Sequence, residues 1–319
     1  MEPILDQAMP HVFSDAEPAM AGPQRTPARA GTVARQFDRR VARLAAADVL
    51  LREVDRRLQS RLDYIRLEPR DIVDVGCGLG RSRDPLLARY PGARWVGVDI
   101  STQMARAGLD AQRRGFGIAR WWRRNGAWIV ADGSRLPLPD GTADLVYSNL
   151  MLHWHPIPHA VFPEWKRVLR IDGLLMFSCF GPDTLSELRA AVAEVLPEAR
   201  PMPFVDMHDF GDMMVASGFA APVMDAERIT LTFADPRDLL AEVRALGGNP
   251  RDDRAAGLPS GRNARRVLDA LGARRDPSGR IPLTFEIAYG HAWRPAPRAA
   301  GVSTIRVEDL QRQLTAKKR

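Results

Sequence analysis

The chain has 319 residues and a hydrophobic fraction of 45%, so it is long enough to bury a full core in one or two domains. Its only two cysteines, Cys77 and Cys179, lack metal-type or redox spacing. This excludes a disulfide framework and predicts a cytoplasmic protein. No run approaches the about 18 apolar residues of a membrane span, and the first residues lack a signal-peptide pattern, so we expect neither feature.

Positive charge is concentrated in a few stretches. Basic residues number 46 against 39 acidic ones, for a net charge of +7, and all but three of the basic residues are arginines. The excess falls in residues 35–66, 106–124, 251–280 and 294–319, which leaves the remainder of the chain net acidic. Two interpretations stay open: a coding bias toward arginine, or a polyanionic partner such as nucleic acid, anionic lipid or an acidic protein.

The N-terminal region divides into two parts. Residues 1–33 are rich in Ala and Pro without periodicity, which predicts a disordered extension. Residues 34–66 place apolar side chains at helical spacing between arginines, which predicts one or two amphipathic helices. Two further segments stand out by composition: 113–126, rich in Arg and Trp, is interpreted as an insertion, and 297–319 as a basic C-terminal tail.

Between these segments, short apolar strands alternate with helices, which is typical of a parallel α/β sheet. Helices are expected up to about Tyr90, from Thr102 to about Arg113, and over about 157–170, where Asp172-Gly173 ends the helix. Two later helices are predicted near 236–246 and 262–272. The predicted strands are, in chain order, 71–75, 94–100, 127–132, 144–148, 174–180, 228–233 and 283–289.

A glycine-rich loop follows the first predicted strand and opens a helix, with Gly76, Gly78 and Gly80. Glycines there permit a tight turn and let a ligand approach the backbone. Asp74 precedes the loop. Asp99 ends the second strand, where a carboxylate can accept hydrogen bonds from both hydroxyls of a ribose. Asp132 ends the third strand, where a carboxylate can accept from an adenine amino group.

These features resemble the class I S-adenosylmethionine-dependent methyltransferases over about residues 70–180. The resemblance rests on Val73-Asp74-Val75-Gly76-Cys77-Gly78-Leu79-Gly80, Val96-Gly97-Val98-Asp99 and Ala131-Asp132-Gly133. It implies a Rossmann-like α/β fold, with a seven-stranded, mostly parallel sheet and an antiparallel last strand. It also implies S-adenosylmethionine as cofactor, bound by Asp74, Gly76, Cys77, Gly78, Gly80, Asp99, Ile100, Met104, Asp132, Gly133 and Asn149.

Further segments are similar to the malonyl-acyl-carrier-protein O-methyltransferase family of biotin synthesis. They are Ser148-Asn149-Leu150-x-Leu152-His153-Trp154, Phe180-Gly181-Pro182-Asp183-Thr184-Leu185-x-Glu187-Leu188-Arg189, Phe37-Asp38-Arg39-Arg40 and Tyr289-Gly290-His291-Ala292-Trp293. The resemblance implies one methyltransferase domain over 34–296, with a helical lid at 34–66, a cofactor-binding core at 70–180 and substrate-side elements at 181–296. One departure is Leu44-Ala45, where many members carry Tyr-Asp.

The resemblance implies methylation of the free carboxylate of malonyl-acyl-carrier protein. Three alternatives stay open: another methyltransferase or an arginine hydroxylase on the same fold, a cofactor-binding assembly factor, and an RNA methyltransferase using the basic segments. The (D/N/S)PP(Y/F/W) motif of amino-methylating DNA enzymes is absent at the fourth strand, so no DNA partner is expected. His153, His155 and His159 are separated by prolines and lack a partner acid, so no metal site is expected either.

The implied reaction needs alignment more than a general base, because a malonyl carboxylate is ionised at neutral pH. We expect Asn149 and His153 to line the mouth of the site, at the carboxyl end of the fourth strand. An arginine would orient the carboxylate, with Arg39 and Arg189 as candidates. An arginine-lined entrance would also attract acyl carrier protein, which is strongly acidic in its family.

Overall fold

A computed structural model describes residues 29–46, 48–114, 126–251 and 261–297. The strands are β1 (Asp71–Val75), β2 (Arg94–Asp99), β3 (Gly126–Val130), β4 (Ala143–Ser148), β5 (Leu169–Phe180), β6 (Ala220–Phe233) and β7 (Ile281–Trp293). The helices are α1 (Ala30–Asp38), α2 (Val41–Ala46), α3 (Val49–Arg61), α4 (Arg83–Arg89), α5 (Thr102–Arg114), α6 (Val161–Val168), α7 (Ser186–Val195), α8 (Met207–Ala216), α9 (Pro236–Leu246) and α10 (Gly261–Gly272).

All seven strands form one sheet in the order β3-β2-β1-β4-β5-β7-β6. The first five strands of this order are parallel to one another, whereas β7 runs antiparallel to both β5 and β6. β1 is buried at every position, as a central strand covered on both faces requires. The predicted Rossmann-like architecture with an antiparallel last strand is therefore confirmed. Because β1, β2 and β4 are adjacent and parallel, their carboxyl ends meet at one edge of the sheet.

The largest difference from the predicted elements lies between α6 and β5. We predicted that Asp172-Gly173 ends a helix, but the helix ends at Val168 and β5 begins at Leu169. The pairing with β4 shifts register here, because Ala143 pairs with Leu169 and Leu145 with Leu174. Asp172 has a positive φ of 60°, so the predicted turn exists as an irregularity inside the strand.

Other predicted boundaries shift by a few residues. Strand β3 ends at Val130, so Asp132 lies in the loop that follows it. Helix α1 begins at Ala30, although residues up to 33 were predicted to be disordered. The sequence prediction also missed α8, and for α7 the capping-box pattern Thr184-x-x-Glu187 indicated only a helix start. The remainder of the predicted extension, most of the insertion (115–125) and the tail from 298 onward lie outside the described residues.

The N-terminal helices cover the carboxyl edge of the sheet. Leu50, Val54 and Leu58 on α3 are fully buried in the main apolar cluster. The Asp38 carboxylate at the end of α1 accepts hydrogen bonds from Ser101 Oγ at 2.6 Å and Gln103 N at 3.0 Å. We call α1–α3 the lid helices. None of the described helices has the length and apolarity needed to cross a membrane.

Candidate active site

The glycine loop between β1 and α4 forms one side of a cavity at the carboxyl edge of the sheet. Gly76 has φ of +75°, and a Cβ at this position would lie 2.3 Å from the Met151 side chain. Gly78 also has a positive φ, of +53°, but open space surrounds its Cβ position. Only glycine fits both conformations without strain. The loop therefore presents its backbone directly to the cavity.

We call this space the loop cavity. It is closed on the other side by the lid helices, through Val33, Phe37 and Leu44, and by Asp48 and Leu51. All the cofactor-binding residues predicted from the resemblance line it except Gly80. Gly80 lies instead against Trp128, whose ring would be 2.3 Å from a Cβ there. Packing against this ring therefore explains why position 80 is a glycine. The predicted residues that share the cavity are Asp74, Gly76, Cys77, Gly78, Asp99, Ile100, Met104, Asp132, Gly133 and Asn149.

Asp74 is the most unusual side chain of the loop cavity. It is 1% exposed, and neither carboxylate oxygen has a hydrogen-bond partner among the described residues. Burial, together with the nearby charge of Asp55, raises the pKa of Asp74 well above its usual range. Buried polar groups are normally paired, so this carboxylate is suited to a ligand that brings a hydrogen-bond donor or a positive charge.

Asp99 holds the glycine loop in place from the end of β2. Its Oδ2 accepts a hydrogen bond from Gly78 N at 2.8 Å, and its Oδ1 accepts from Ser101 N at 2.8 Å. Burial raises the pKa of Asp99 to about 6, although both backbone bonds favour the charged form. This carboxylate therefore changes its protonation state just below neutral pH.

Asp132, in contrast to Asp99, is held in its charged form. Its Oδ1 lies 3.1 Å from His155 Nε2 and accepts hydrogen bonds from Ser134 N at 2.8 Å and Ser134 Oγ at 2.7 Å. The hydrogen bond with His155 is the main reason that the pKa of Asp132 is lowered, so the carboxylate stays ionised. His155 itself lines the cavity. No local sequence pattern predicts this pair, because the two residues are 23 positions apart and both lie in loops.

Asn149 and His153, predicted to line the mouth together, occupy different environments. Asn149 lines the loop cavity, where its Nδ2 donates to Leu51 O at 3.1 Å and its Oδ1 accepts from Ser178 Oγ at 2.7 Å. His153 is 3% exposed and is not among the cavity-lining residues. Its ring lies against Phe180, 4.4 Å between centroids, and its Nδ1 is 3.7 Å from Cys179 Sγ. Burial lowers the pKa of His153 to about 3, so the ring is neutral.

A buried acid on α3, missed by the sequence prediction, connects the lid to the glycine loop. Asp55 Oδ1 accepts hydrogen bonds from Ser82 Oγ at 2.6 Å and Tyr147 OH at 2.7 Å, and its Oδ2 accepts from Gln59 Nε2 at 2.7 Å. Ser82 begins the turn into α4, and Tyr147 is on β4. One carboxylate therefore joins three elements that surround Asp74. From the sequence, the helical spacing of apolar residues around Asp55 predicted only an amphipathic helix.

The two arginines predicted to orient a substrate lie in different environments. Arg39 is exposed after α1 and does not line the loop cavity. Arg189 on α7 is half-buried, donates to Pro182 O, and lines a second, more apolar cavity beside the loop cavity. Of the two, only Arg189 faces a space that a substrate could enter. Among the described residues no group of three or more His, Cys, Asp or Glu could hold a metal ion.

Comparison with known proteins identifies the family. A family model described as a methyltransferase domain matches residues 73–177. The chain is 44% identical over 263 residues to a malonyl-[acyl-carrier protein] O-methyltransferase of Laribacter hongkongensis, covering 82% of this chain and 88% of the relative. It is 41% identical to the protein of the same name from Nitrosospira multiformis, over 84% of this chain and 90% of the relative. The chain belongs to the malonyl-[acyl-carrier protein] O-methyltransferase family.

Solved structures support the fold of this malonyl-[acyl-carrier protein] O-methyltransferase family member. The YcgJ protein of Bacillus subtilis superposes with a TM-score of 0.54 at 14% identity, covering 75% of this chain and 98% of that one. At this identity the likeness concerns the fold alone. The family predicted from segments 148–154 and 180–189 is confirmed. The departure at Leu44-Ala45 falls in the site, because Leu44 lines the loop cavity with an apolar side chain.

Proposed function

We propose that the protein transfers a methyl group from S-adenosylmethionine to the free carboxylate of malonyl-acyl-carrier protein, in the cytoplasm, at the start of biotin synthesis. The observation that carries the proposal is the identity of 40% or more to several relatives of that name, over more than four-fifths of this chain. The arginine hydroxylase, assembly-factor and RNA alternatives have no comparable support from these relatives or from the site.

The residues of the loop cavity fit the proposed cofactor. S-adenosylmethionine, when bound, would supply a methyl group on a positively charged sulfur, and it also carries an ammonium group. Asp74, buried and without a partner among the described residues, would ionise beside such a cation, because the positive charge would offset the burial that raises its pKa. Asp99 would accept from the ribose hydroxyls and Asp132 from the adenine amino group. Gly76 and Gly78 leave room for the ligand against the backbone.

The remaining residues are suited to alignment rather than to proton transfer. A malonyl carboxylate is already ionised at neutral pH, so no side chain has to remove a proton from it. His153 is buried and neutral, which fits a structural support for the mouth better than a general base. Asn149 is fixed by two hydrogen bonds and faces the cavity, where its amide would position the reacting groups. The lid helices would exclude water from the site.

The test is direct methylation of the purified carrier substrate. Incubation of the protein with malonyl-acyl-carrier protein and S-adenosylmethionine should replace the carboxyl proton by a methyl group, a net gain of one CH2 unit. Cleavage of the thioester by hydroxylamine should release this added mass together with the malonyl group and leave the carrier unchanged. Expression of the chain should also restore growth without biotin to a bacterium that lacks this methyltransferase. The Gly78→Arg variant serves as the inactive control in both assays. Absence of both the mass gain and the rescue would refute the proposed substrate.

A further inference from the structure

A second cavity lies beside the loop cavity, and we call it the apolar cavity. Its volume is about 550 Å³, within the range of roughly 300–1,000 Å³ typical of ligand sites. Its inner surface is formed by Phe180 at the end of β5, Leu188 on α7, Phe204, Val243 on α9 and Phe285 on β7. None of these residues belongs to the motifs that predicted the cofactor site, and only Phe180 and Leu188 lie in the 180–189 segment that is similar to the family.

The two cavities adjoin each other. Trp154 and Leu246 line both of them. Trp154 packs edge-to-face on Phe37 of the lid, with 5.2 Å between ring centroids. It also fills the space beside Gly247, where a Cβ would lie 2.2 Å from its ring. Trp154 therefore lies between the loop cavity and the apolar cavity.

Charge distinguishes the mouth of the apolar cavity from its interior. Two arginines, Arg189 and Arg200, are among its lining residues, and none of the described lining residues is acidic. Arg200 is exposed at the mouth, as are Ala190 and Ala193 on α7. The interior is aromatic and aliphatic. The matching ligand is a long, mostly uncharged chain that carries an anionic group at its outer end and its reacting group at the inner end.

We propose that the apolar cavity holds the phosphopantetheine arm of the thioester substrate, with its phosphate beside Arg189 and Arg200 and its acyl end directed past Trp154 toward the loop cavity. The inference rests on the proposed function, because it takes the substrate to be a carrier-bound acyl thioester. A free fatty acid also combines an apolar chain with one anionic end. Its carboxylate would lie at the arginines, so it would present no group for methylation to the loop cavity.

A single bulky substitution at the mouth tests the proposal. Ala193→Trp places an indole on an exposed helix position that lines the mouth, so the fold is expected to tolerate it. We expect it to raise KM for malonyl-phosphopantetheine about tenfold or more, without changing the affinity for S-adenosylhomocysteine. The matched control is Ala216→Trp on α8, an exposed alanine that lines neither cavity, which should change neither quantity by more than about twofold.

Binding measurements separate this inference from the proposed function. Calorimetric titration with phosphopantetheine, in the presence of S-adenosylhomocysteine, should show binding to the wild-type protein and to Ala216→Trp but not to Ala193→Trp. Laurate, as a fatty-acid probe, should compete weakly or not at all.

If the wild type methylates malonyl-acyl-carrier protein but Ala193→Trp and Ala216→Trp behave alike, the apolar cavity is not the arm site. If phosphopantetheine binds as expected and no thioester is methylated, the proposed function fails while the site stands. Displacement of phosphopantetheine by laurate at equal concentration would reassign the cavity to fatty acids.

Discussion

The loop cavity and the apolar cavity share Trp154 and Leu246 but differ in nearly every other respect. The loop cavity gathers Asp74, Asp99 and Asp132 around a turn of glycines, and each carboxylate has a different pKa because its burial and partners differ. The apolar cavity is lined mostly by aromatic and aliphatic side chains, with two arginines and one asparagine. The first is thus suited to a cationic, polar ligand, and the second to an uncharged chain with an anionic end.

The two cavities also differ in how the chain builds them. Apart from Asp48, the loop cavity takes its polar residues from the ends of adjacent parallel strands and the segments that follow them, within residues 74–155. The apolar cavity takes its residues from Trp154 to Phe285, over several helices and an antiparallel strand. Short motifs can encode the first arrangement, whereas the second depends on long-range packing.

The largest effect is expected from Gly78→Arg, which should abolish measurable binding of S-adenosylhomocysteine. Nothing lies within 4 Å of the Cβ position of Gly78, so an added side chain does not clash with the protein itself. It would instead occupy the loop cavity, where the ligand must approach the backbone. Calorimetric titration measures the loss, and a thermal melt checks that the variant is folded.

The matched control for this variant is Gly141→Arg. Gly141 has φ of +63°, close to the +53° of Gly78, and open space also surrounds its Cβ position, but it lies outside both cavities. Both variants therefore carry a similar backbone strain. The control should bind S-adenosylhomocysteine like the wild type. Equal loss of affinity in the two variants would mean that strain, and not occupation of the loop cavity, prevents binding.

The polar residues of the loop cavity could be predicted from the sequence because three acids lie at or near the ends of short apolar strands, in motifs that resemble those of a known family. Asp74 is the next-to-last residue of β1, Asp99 is the last residue of β2, and Asp132 lies two residues after β3. Other features had no local signal. The Asp55 contacts with Ser82 and Tyr147 join positions 27 and 92 residues apart, and His155 acts on Asp132 across loops. His153 was predicted at the mouth because it belongs to a motif, but only the packed structure shows that its ring is buried.

Asp74→Asn should change affinity and stability in opposite directions. We expect the affinity for S-adenosylmethionine to fall about tenfold to a hundredfold, because a charge-assisted partner is lost. The free energy of unfolding should rise, because the variant no longer buries an ionisable group without a partner. The raised pKa of Asp74 means that wild-type stability falls as pH rises above the unfolded pKa, so the gain should grow with pH. Chemical denaturation at several pH values measures it. A loss of stability would show that Asp74 is structural.

The pH dependence of cofactor binding should follow Asp99. Its pKa is raised by burial to about 6 in the free protein, and in the proposed function the ribose hydroxyls would donate to the ionised form. Affinity for S-adenosylhomocysteine should therefore increase by up to about tenfold between pH 5 and pH 7, as the carboxyl loses its proton. Asp132 cannot produce this change, because its pKa is lowered and it is ionised throughout. An Asp99→Asn variant should bind weakly with little change over this range. A rise that persists in the variant would assign the titration to another group.

The smallest effects are expected from the two candidate orienting arginines. They distinguish a substrate whose anionic end lies at the apolar cavity from one whose anionic end lies elsewhere. Arg189→Ala removes a half-buried guanidinium from the apolar cavity and should raise KM for the carrier-bound thioester about threefold to tenfold, with no change in the affinity for S-adenosylhomocysteine. Arg39→Ala removes an exposed side chain that lines neither cavity and should change neither value. The Arg189 effect should shrink as salt is added, since screening weakens attraction to an anionic group. If Arg39→Ala instead gives the larger, salt-dependent effect, the anionic end of the substrate binds beside the lid helices. The arginines of the apolar cavity would then not support its assignment to the phosphopantetheine arm.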